Sequence, residues 1–286
     1  MMRYGAWVPT RGTESVDPGI QILAQNAENA GFDLMIIPDH IVMRTETNSW
    51  FPFAADGVPA WDPRAPWIDA IVSLALCAAV TNRIEFGTGV LVLPQREPVI
   101  LAKQLATIDA ACCGRLFVGV GAGWLAEEYE ALNVPFEGRG QRMDEWIALL
   151  RNLWSGEPSA FNGEHYSLPD GVLTYPTPPG RLPILVGGMS PAAIRRAASA
   201  DGWFALQHTD ALDVDRIRSG VKSLRRVRHD TANRVVLRAV GDLDPLLPMI
   251  GEFQCAGVTD LVIDADLTDM NTAQDALERM RQAGNR

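Results

Sequence analysis

A single (β/α)8 barrel is the fold class this sequence predicts, and three observations predict it. Eight short apolar runs, near residues 4, 32, 84, 115, 182, 202, 235 and 260, are each followed by a helical pattern. Strict alternation of that kind argues for a parallel sheet with crossover helices. The runs at residues 32–38 and 115–120 are almost continuously apolar, as strands covered on both faces are. The length of 286 residues suits eight such units. The competing layout, a doubly wound open sheet, normally carries its glycine fingerprint after the first strand, where this chain has Trp7-Val8-Pro9.

Taken in order, residues 4–9 form strand one, and Asp17-Pro18 supplies an N-cap with proline at the first helical position. Ile20, Leu23, Ala24 and Ala27 then fall on one helix face, and Gly31 ends it. Residues 32–38 run into Asp39-His40. Residues 41–66 are a long irregular loop with Trp50, Phe51, Phe53, Trp61 and four prolines; a loop of that length inside a compact domain is usually functional. Residues 67–80 are helical. Residues 83–94 form an apolar strand interrupted by Gly87, Thr88 and Gly89, and glycine in a strand marks a bulge or a close ligand approach. A helix from Pro98 buries Leu101, Leu105, Ile108 and Cys112. Strand 115–120 leads into Gly121-Ala122-Gly123-Trp124, and helix 141–154 carries Met143, Trp146, Ile147, Leu150 and Trp154 at helical spacing. Residues 155–181 are an insertion rich in glycine and proline, with a hairpin turn at Asn162-Gly163. The alternation resumes at strand 182–186, helix 191–200, strand 202–206, a helix with Val214, Ile217, Val221 and Leu224, strand 234–240, helix 245–256, strand 260–263 and helix 273–282.

With 25 basic and 35 acidic residues the net charge is −10, which disfavours nucleic acid and anionic membranes as partners. Cys77, Cys112, Cys113 and Cys255 form no Cys-x-x-Cys pair and sit near no histidine at metal spacing, so reduced thiols and a cytoplasmic compartment are expected, with no metal site. No secretory h-region opens the chain, and its longest apolar run, residues 70–80, is too short to span a bilayer.

A barrel builds its active site at the C-terminal ends of its strands. There the sequence places Trp7, Asp39-His40, Gly89-Val90, Gly121 to Trp124, and Gly187-Gly188-Met189-Ser190. His40, beside an aspartate at a strand end, is the candidate acid–base residue. His208 could also reach the mouth, while His165 and His229 have no such setting. Gly187-Gly188 before a helix reads either as a tight turn or as an anion site at a helix N-terminus, with Ser190 and Arg195-Arg196 nearby. No Gly-x-Ser-x-Gly elbow occurs, so a barrel hydrolase has little support.

Residues 27–33 (Ala-Glu-Asn-Ala-Gly-Phe-Asp), Asp39-His40, Gly87-Thr88-Gly89-Val90, residues 115–124, Leu185-Val186-Gly187-Gly188 and Asp201-Gly202-Trp203 resemble, in order and spacing, the luciferase-like monooxygenase family of flavin and deazaflavin oxidoreductases. The likeness is especially to its actinobacterial branch that uses coenzyme F420, and it covers about residues 3–265. The resemblance implies the same barrel, with residues 155–181 as the family's insertion. It implies a cis peptide bond between Gly89 and Val90, next to Thr88, backing the central ring of the cofactor. Asp39 and His40 would lie near that ring, His40 as base on a substrate alcohol. Ala122, Gly123 and Trp124 would border the cofactor, and Gly187, Gly188, Met189 and Ser190 would hold its phosphate. Trp124 stands where sugar-phosphate dehydrogenases of the family carry glutamate, which disfavours a sugar phosphate. Trp7, Trp50 and Phe51, with Phe53 and Trp61, suggest instead a small apolar or cyclic substrate. The function implied is hydride transfer between coenzyme F420 and that substrate, in a homodimer. The alternatives are a reduced-FMN-dependent monooxygenase and a non-catalytic flavin-binding protein of the same fold.

Overall fold

The computed structural model describes residues 2–54, 56–227 and 234–285. Its strands are β1 (Arg3–Trp7), β2 (Leu34–Ile37), β3 (Glu85–Thr88), β4 (Leu91–Val92), β5 (Leu116–Gly121), β6 (Phe161–Asn162), β7 (Ser167–Leu168), β8 (Ile184–Gly187), β9 (Gly202–His208), β10 (Arg234–Val240) and β11 (Asp260–Ile263). The main helices are α1 (Ile20–Ala30), α2 (Ala70–Val80), α3 (Pro98–Ala111), α4 (Ala126–Ala131), α5 (Arg139–Leu153), α6 (Pro191–Ser199), α7 (Val214–Val227), α8 (Ile250–Ala256) and α9 (Met270–Gly284). The strands run β3-β2-β1-β11-β10-β9-β8-β5, and β5 pairs back onto β3. Every pairing around this ring is parallel, so the sheet closes into the (β/α)8 barrel. β4 is the continuation of β3 beyond an interruption, and it too pairs with β5.

Side chains alternate across each strand, so one set of residues fills the barrel and the other meets the helices. Leu34, Ile36, Phe117, Leu185, Phe204, Val236 and Val262 form the inner core, capped by Trp7 and Val90. The outer layer packs residues such as Met35, Ile37, Phe86, Val118 and Trp203 against the amphipathic faces predicted for the helices, including Ile20, Leu23, Ala24 and Ala27. The N-terminal end of the barrel is closed by charge. Glu85 bonds Arg3 at 2.5 Å and Arg234 at 2.6 Å, and the wholly buried Asp260 pairs with Arg234 at 3.2 Å and with Arg3. The Arg234 guanidinium also lies 4.2 Å over the Phe117 ring.

Two helix starts differ from the sequence reading. Asp17-Pro18 is a cis bond and α1 begins after Gly19, so Asp17 is no N-cap. The helix expected from residue 67 begins at Ala70, capped by Asp69, because Trp67 is instead bridged antiparallel to Arg11. The short helix α4, between β5 and α5, was not predicted. The 155–181 segment does contain the hairpin: β6 and β7 pair antiparallel, and the Gly163 amide donates to the Tyr166 carbonyl.

Candidate active site

The rim of the barrel is shaped by one extra residue. Gly87 faces Phe117 in the register and Leu91 faces Val120, so four steps along β3–β4 match three along β5. The surplus is a bulge at Gly89-Val90, whose peptide bond is cis. It swings Val90 inward over the inner core. A Cβ on Gly121 would come within 2.6 Å of one Val90 methyl, and a Cβ on Gly187 within 2.6 Å of the other. Bare backbone on β5 and β8 therefore leaves Val90 and Trp7 as the floor of the mouth. Thr88 anchors the bulge from below, donating its hydroxyl to the Gly119 carbonyl at 2.7 Å.

Asp39 and His40 end the β2 segment, and they diverge. The Asp39 side chain is fully buried; one oxygen accepts from the Val92 amide at 2.9 Å and the other from Arg96 at 2.6 Å. Asp39 thus ties the end of β2 to β4 and holds the bulge in place. The His40 imidazole is only about one-tenth exposed, and its Nδ1 lies 3.0 Å from Glu128 on α4.

Glu128 is the residue sequence reasoning missed. Its carboxylate, buried with the rest of the residue, accepts from the amides of Ile41 (2.6 Å) and Val42 (3.2 Å) and from Gln95 Nε2 (3.1 Å) as well as His40. Burial alone would raise its pKa, but the hydrogen bond and charge of His40, the Ile41 amide and Gln95 outweigh it and hold the group below the ordinary carboxylate range. Glu128 is therefore ionised near neutral pH and can only accept, which places the hydrogen of a neutral His40 on Nδ1 and makes Nε2 the basic nitrogen. The neighbouring acids of α4 grip the same loop. Glu127 accepts from the Ser49 hydroxyl at 2.6 Å and from the Ser49 and Asn48 amides, and Glu130 pairs with Arg44 at 2.5 Å.

This grip has a pH signature. Burial pushes the Glu127 carboxyl up, but the Ser49 hydroxyl and the Asn48 and Ser49 amides hold it below its ordinary value of 4.5, as for Glu128. A depressed carboxylate contributes stability above its unfolded pKa and loses it as pH falls through the folded one. Loop docking is thus expected to be complete at neutral pH and to fail below about pH 4.5, ahead of the barrel. Tryptophan fluorescence should change at a higher pH than far-UV circular dichroism during acid titration; coincident transitions would contradict it.

Around His40 the loop and the rim assemble a cluster of rings. His40 is 4.8 Å from Trp67, 6.2 Å from Trp124 and 6.3 Å from Trp61 between centroids. Phe51 bridges Trp61 (4.9 Å), Trp124 (5.0 Å) and Phe53 (5.3 Å). Of the residues expected to face substrate, Phe51 joins this cluster. Trp50 stands outside it, 65 % exposed with its ring folded over Gly57. Trp7 lies at the barrel mouth, its ring stacked 3.8 Å from the Arg238 guanidinium.

On the opposite rim, Gly187 to Ser190 lead from β8 into α6. Gly188 adopts φ +119°, a conformation side chains rarely take, and its carbonyl accepts from Trp203 Nε1 at 2.8 Å. The exposed Ser190 caps α6 by accepting from the Ala193 amide at 3.2 Å, and Met189 packs half-buried on the core. Gly123, at φ +72°, turns the β5 loop, where the Ala122 carbonyl accepts from Tyr129 and the Gly123 carbonyl from Arg139. Several buried polar atoms without partners lie on segments that follow strand ends: Trp67 Nε1, Gln95 Oε1 and His208 Nε2. A floor of Val90 and Trp7 beside the bare backbone of Gly121 and Gly187, with a capped helix start on the β8 side, fits a flat ring carrying a phosphate. His229 lies outside the described residues. Among the described residues no group of three or more His, Cys, Asp or Glu could hold a metal ion, and no helix is long and apolar enough to cross a membrane.

The fold is a (β/α)8 barrel with a bulged rim at Gly89-Val90. Residues 2–240 match the family described as luciferase-like monooxygenase, and the chain belongs to that family. It is 42 % identical over 203 residues to an uncharacterized protein of Mycobacterium tuberculosis, covering 71 % of this chain and 70 % of the relative. It is 32 % identical over 238 residues to the F420-dependent glucose-6-phosphate dehydrogenase of Microbacterium testaceum, covering 72 % of this chain and 64 % of that one. Among solved structures, an F420-dependent secondary alcohol dehydrogenase in complex with an F420–acetone adduct superposes with a TM-score of 0.78 at 17 % identity, over 99 % of both chains. The FMN-bound oxygenating constituent of 3,6-diketocamphane monooxygenase from Pseudomonas putida, a type II Baeyer-Villiger enzyme, gives 0.72 at 16 %, over 98 % of this chain and 96 % of that one.

Proposed function

We propose that the protein is a coenzyme F420-dependent oxidoreductase that transfers a hydride between the deazaflavin and a small apolar or cyclic substrate. The observation that carries this reading is the His40–Glu128 pair set inside a ring cluster at the edge of a cleared floor. When bound, the coenzyme supplies or accepts the hydride. The protein's part is to place the two reactants and to move the accompanying proton. Val90, Gly121 and Gly187 would back the ring, Gly123 and Trp124 would border it, and Gly188 to Ser190 would take the phosphate. His40 Nε2 would take the proton from a substrate hydroxyl, or return it to a carbonyl, while Glu128 stabilises the imidazolium. Trp61, Trp67, Trp124 and Phe51 would exclude water from that exchange. The same reading includes a homodimer, checked by light scattering, and a cytoplasmic location.

The test is a fluorescence titration with purified coenzyme F420. Micromolar binding is expected, and a Gly187→Ala variant, whose new methyl drives Val90 off the floor, should bind at least tenfold more weakly. Absence of binding by the unaltered protein would sink the proposal. Oxygen consumption with reduced FMN would transfer the assignment to a monooxygenase, since deazaflavin, with carbon in place of a ring nitrogen of flavin, reacts poorly with oxygen.

A further inference from the structure

We propose that Arg11 recognises a carboxylate on the substrate, so that the natural substrate is a ring compound bearing a single negative charge. The inference rests on reading the His40 cluster as the substrate face, and it adds what that face selects.

Arg11 lies in the loop after β1, and its backbone is fixed from two sides. It bridges Trp67, and the next amide, of Gly12, donates to the Pro66 carbonyl at 3.1 Å. The guanidinium is held 4.7 Å from the centroid of Trp61 and 5.5 Å from that of Trp67. Both rings belong to the cluster around His40, and Trp67 is its nearest neighbour at 4.8 Å. The cation is therefore no further from the imidazole than those two Trp67 separations laid end to end, a span one substituted ring fills.

Arg11 is also uncompensated. Among the described residues it is the half-buried arginine with neither an ion pair nor a hydrogen bond; the other arginines without one are fully exposed. The nearest acid on its own loop, Glu14, makes no ion pair with it, and Glu14 instead accepts from Thr13. Burial lowers the Arg11 pKa and Glu14 raises it only in part, so the net direction is down. Across the cluster, Arg96 is matched by Asp39 and Asp69, and Glu128 by its four donors. One planar fork of donors with no acceptor suits one planar carboxylate. Trp67, whose ring the guanidinium overlies, has a buried Nε1 without a partner. A guanidinium placed solely to stack on tryptophan would not distinguish a charged ligand from its neutral isostere, and this sets the test.

The probes are 4-(1-hydroxyethyl)benzoate and 4-(1-hydroxyethyl)benzamide, titrated calorimetrically into the full chain with and without saturating oxidised coenzyme F420. The benzoate should bind at least tenfold more tightly than the amide. In Arg11→Gln the preference should vanish, with amide affinity within twofold of the unaltered protein. Equal affinities in the unaltered protein, a comparison needing no variant, would overturn the proposal, as would a preference that survives in Arg11→Gln. An Arg11→Gln variant that loses coenzyme affinity while keeping benzoate affinity would assign the guanidinium to the coenzyme's own carboxylates and overturn it too. Coenzyme binding is read in the same titrations, so failure of the F420 reading is seen separately from failure of the carboxylate preference.

Discussion

Glu128→Gln is expected to lower kcat for hydride transfer by roughly 10²-fold, the lower part of the range that positioned acid–base groups supply. Four N–H groups converge on the native carboxylate. A glutamine offers one oxygen and turns an NH2 toward donors, so at least one of His40, Ile41, Val42 and Gln95 loses its acceptor. If His40 loses it, Nδ1 no longer has to carry the hydrogen, and the ring can populate the tautomer with its acceptor nitrogen turned from the substrate. Glu128 acts through His40, so the signature of positioning is a fall in kcat with an unchanged coenzyme Kd. His40→Asn should set the floor, and the double variant should fall no lower, because two residues acting as a unit are not additive. A Glu128→Gln variant within threefold of the parent would refute the assignment.

Asp260→Ala is expected to destabilise the fold by about 3–5 kcal/mol, the usual cost of removing one partner from a buried ion pair. Asp260 is wholly buried between Arg3 and Arg234 at the closed end of the barrel, and its loss leaves Glu85 alone to balance two guanidinium groups. In thermal melts the midpoint should drop on the order of 10 °C, while kcat at a temperature well below the transition stays near that of the parent. Arg234→Met combined with Asp260→Leu should recover part of the loss, since an apolar plug replaces the stranded charge. An unchanged melting temperature for the single variant would show that water reaches this end of the barrel.

The barrel was legible because its signal is local. Continuously apolar strands such as residues 34–37 and helix faces such as Ile20, Leu23, Ala24 and Ala27 follow from spacing alone. The bulge was legible too, since Gly87, Gly89, Gly121 and Gly187 are all residues whose side chains would collide with a neighbour. What stayed hidden depends on partners distant in sequence. Glu128 sits in a short acidic helix that reads as a solvated turn, and its chief partner is 88 positions away. The partners of Asp39, the Val92 amide and Arg96, lie more than fifty positions away, so its tie to the bulge could not be read from its own surroundings. The aromatic loop has no periodicity, so nothing in its order separates Phe51, in the cluster, from Trp50 beside it, outside. Arg11 had a discoverable signal in hindsight, a lone arginine following the first strand-end tryptophan, but one cation without its neighbours carries no chemistry.

The 41–66 loop is fastened at its two ends by different means. Residues 41–49 are held by the acids of α4, and residues 66–68 by the segment Thr10 to Gly12. Between those fastenings, among the described residues, Phe51, Ala54 and Gly57 bond through their backbones only to one another: Phe51 to Gly57, Ala54 to Phe51 and Gly57 to Ala54. The middle of the loop is thus a cassette tied to the rest of the cluster chiefly through Phe51, which packs on Trp61 and Trp124. A library confined to residues 50–60 with Phe51 kept is the economical way to vary the wall of the ring cluster while leaving both fastenings intact.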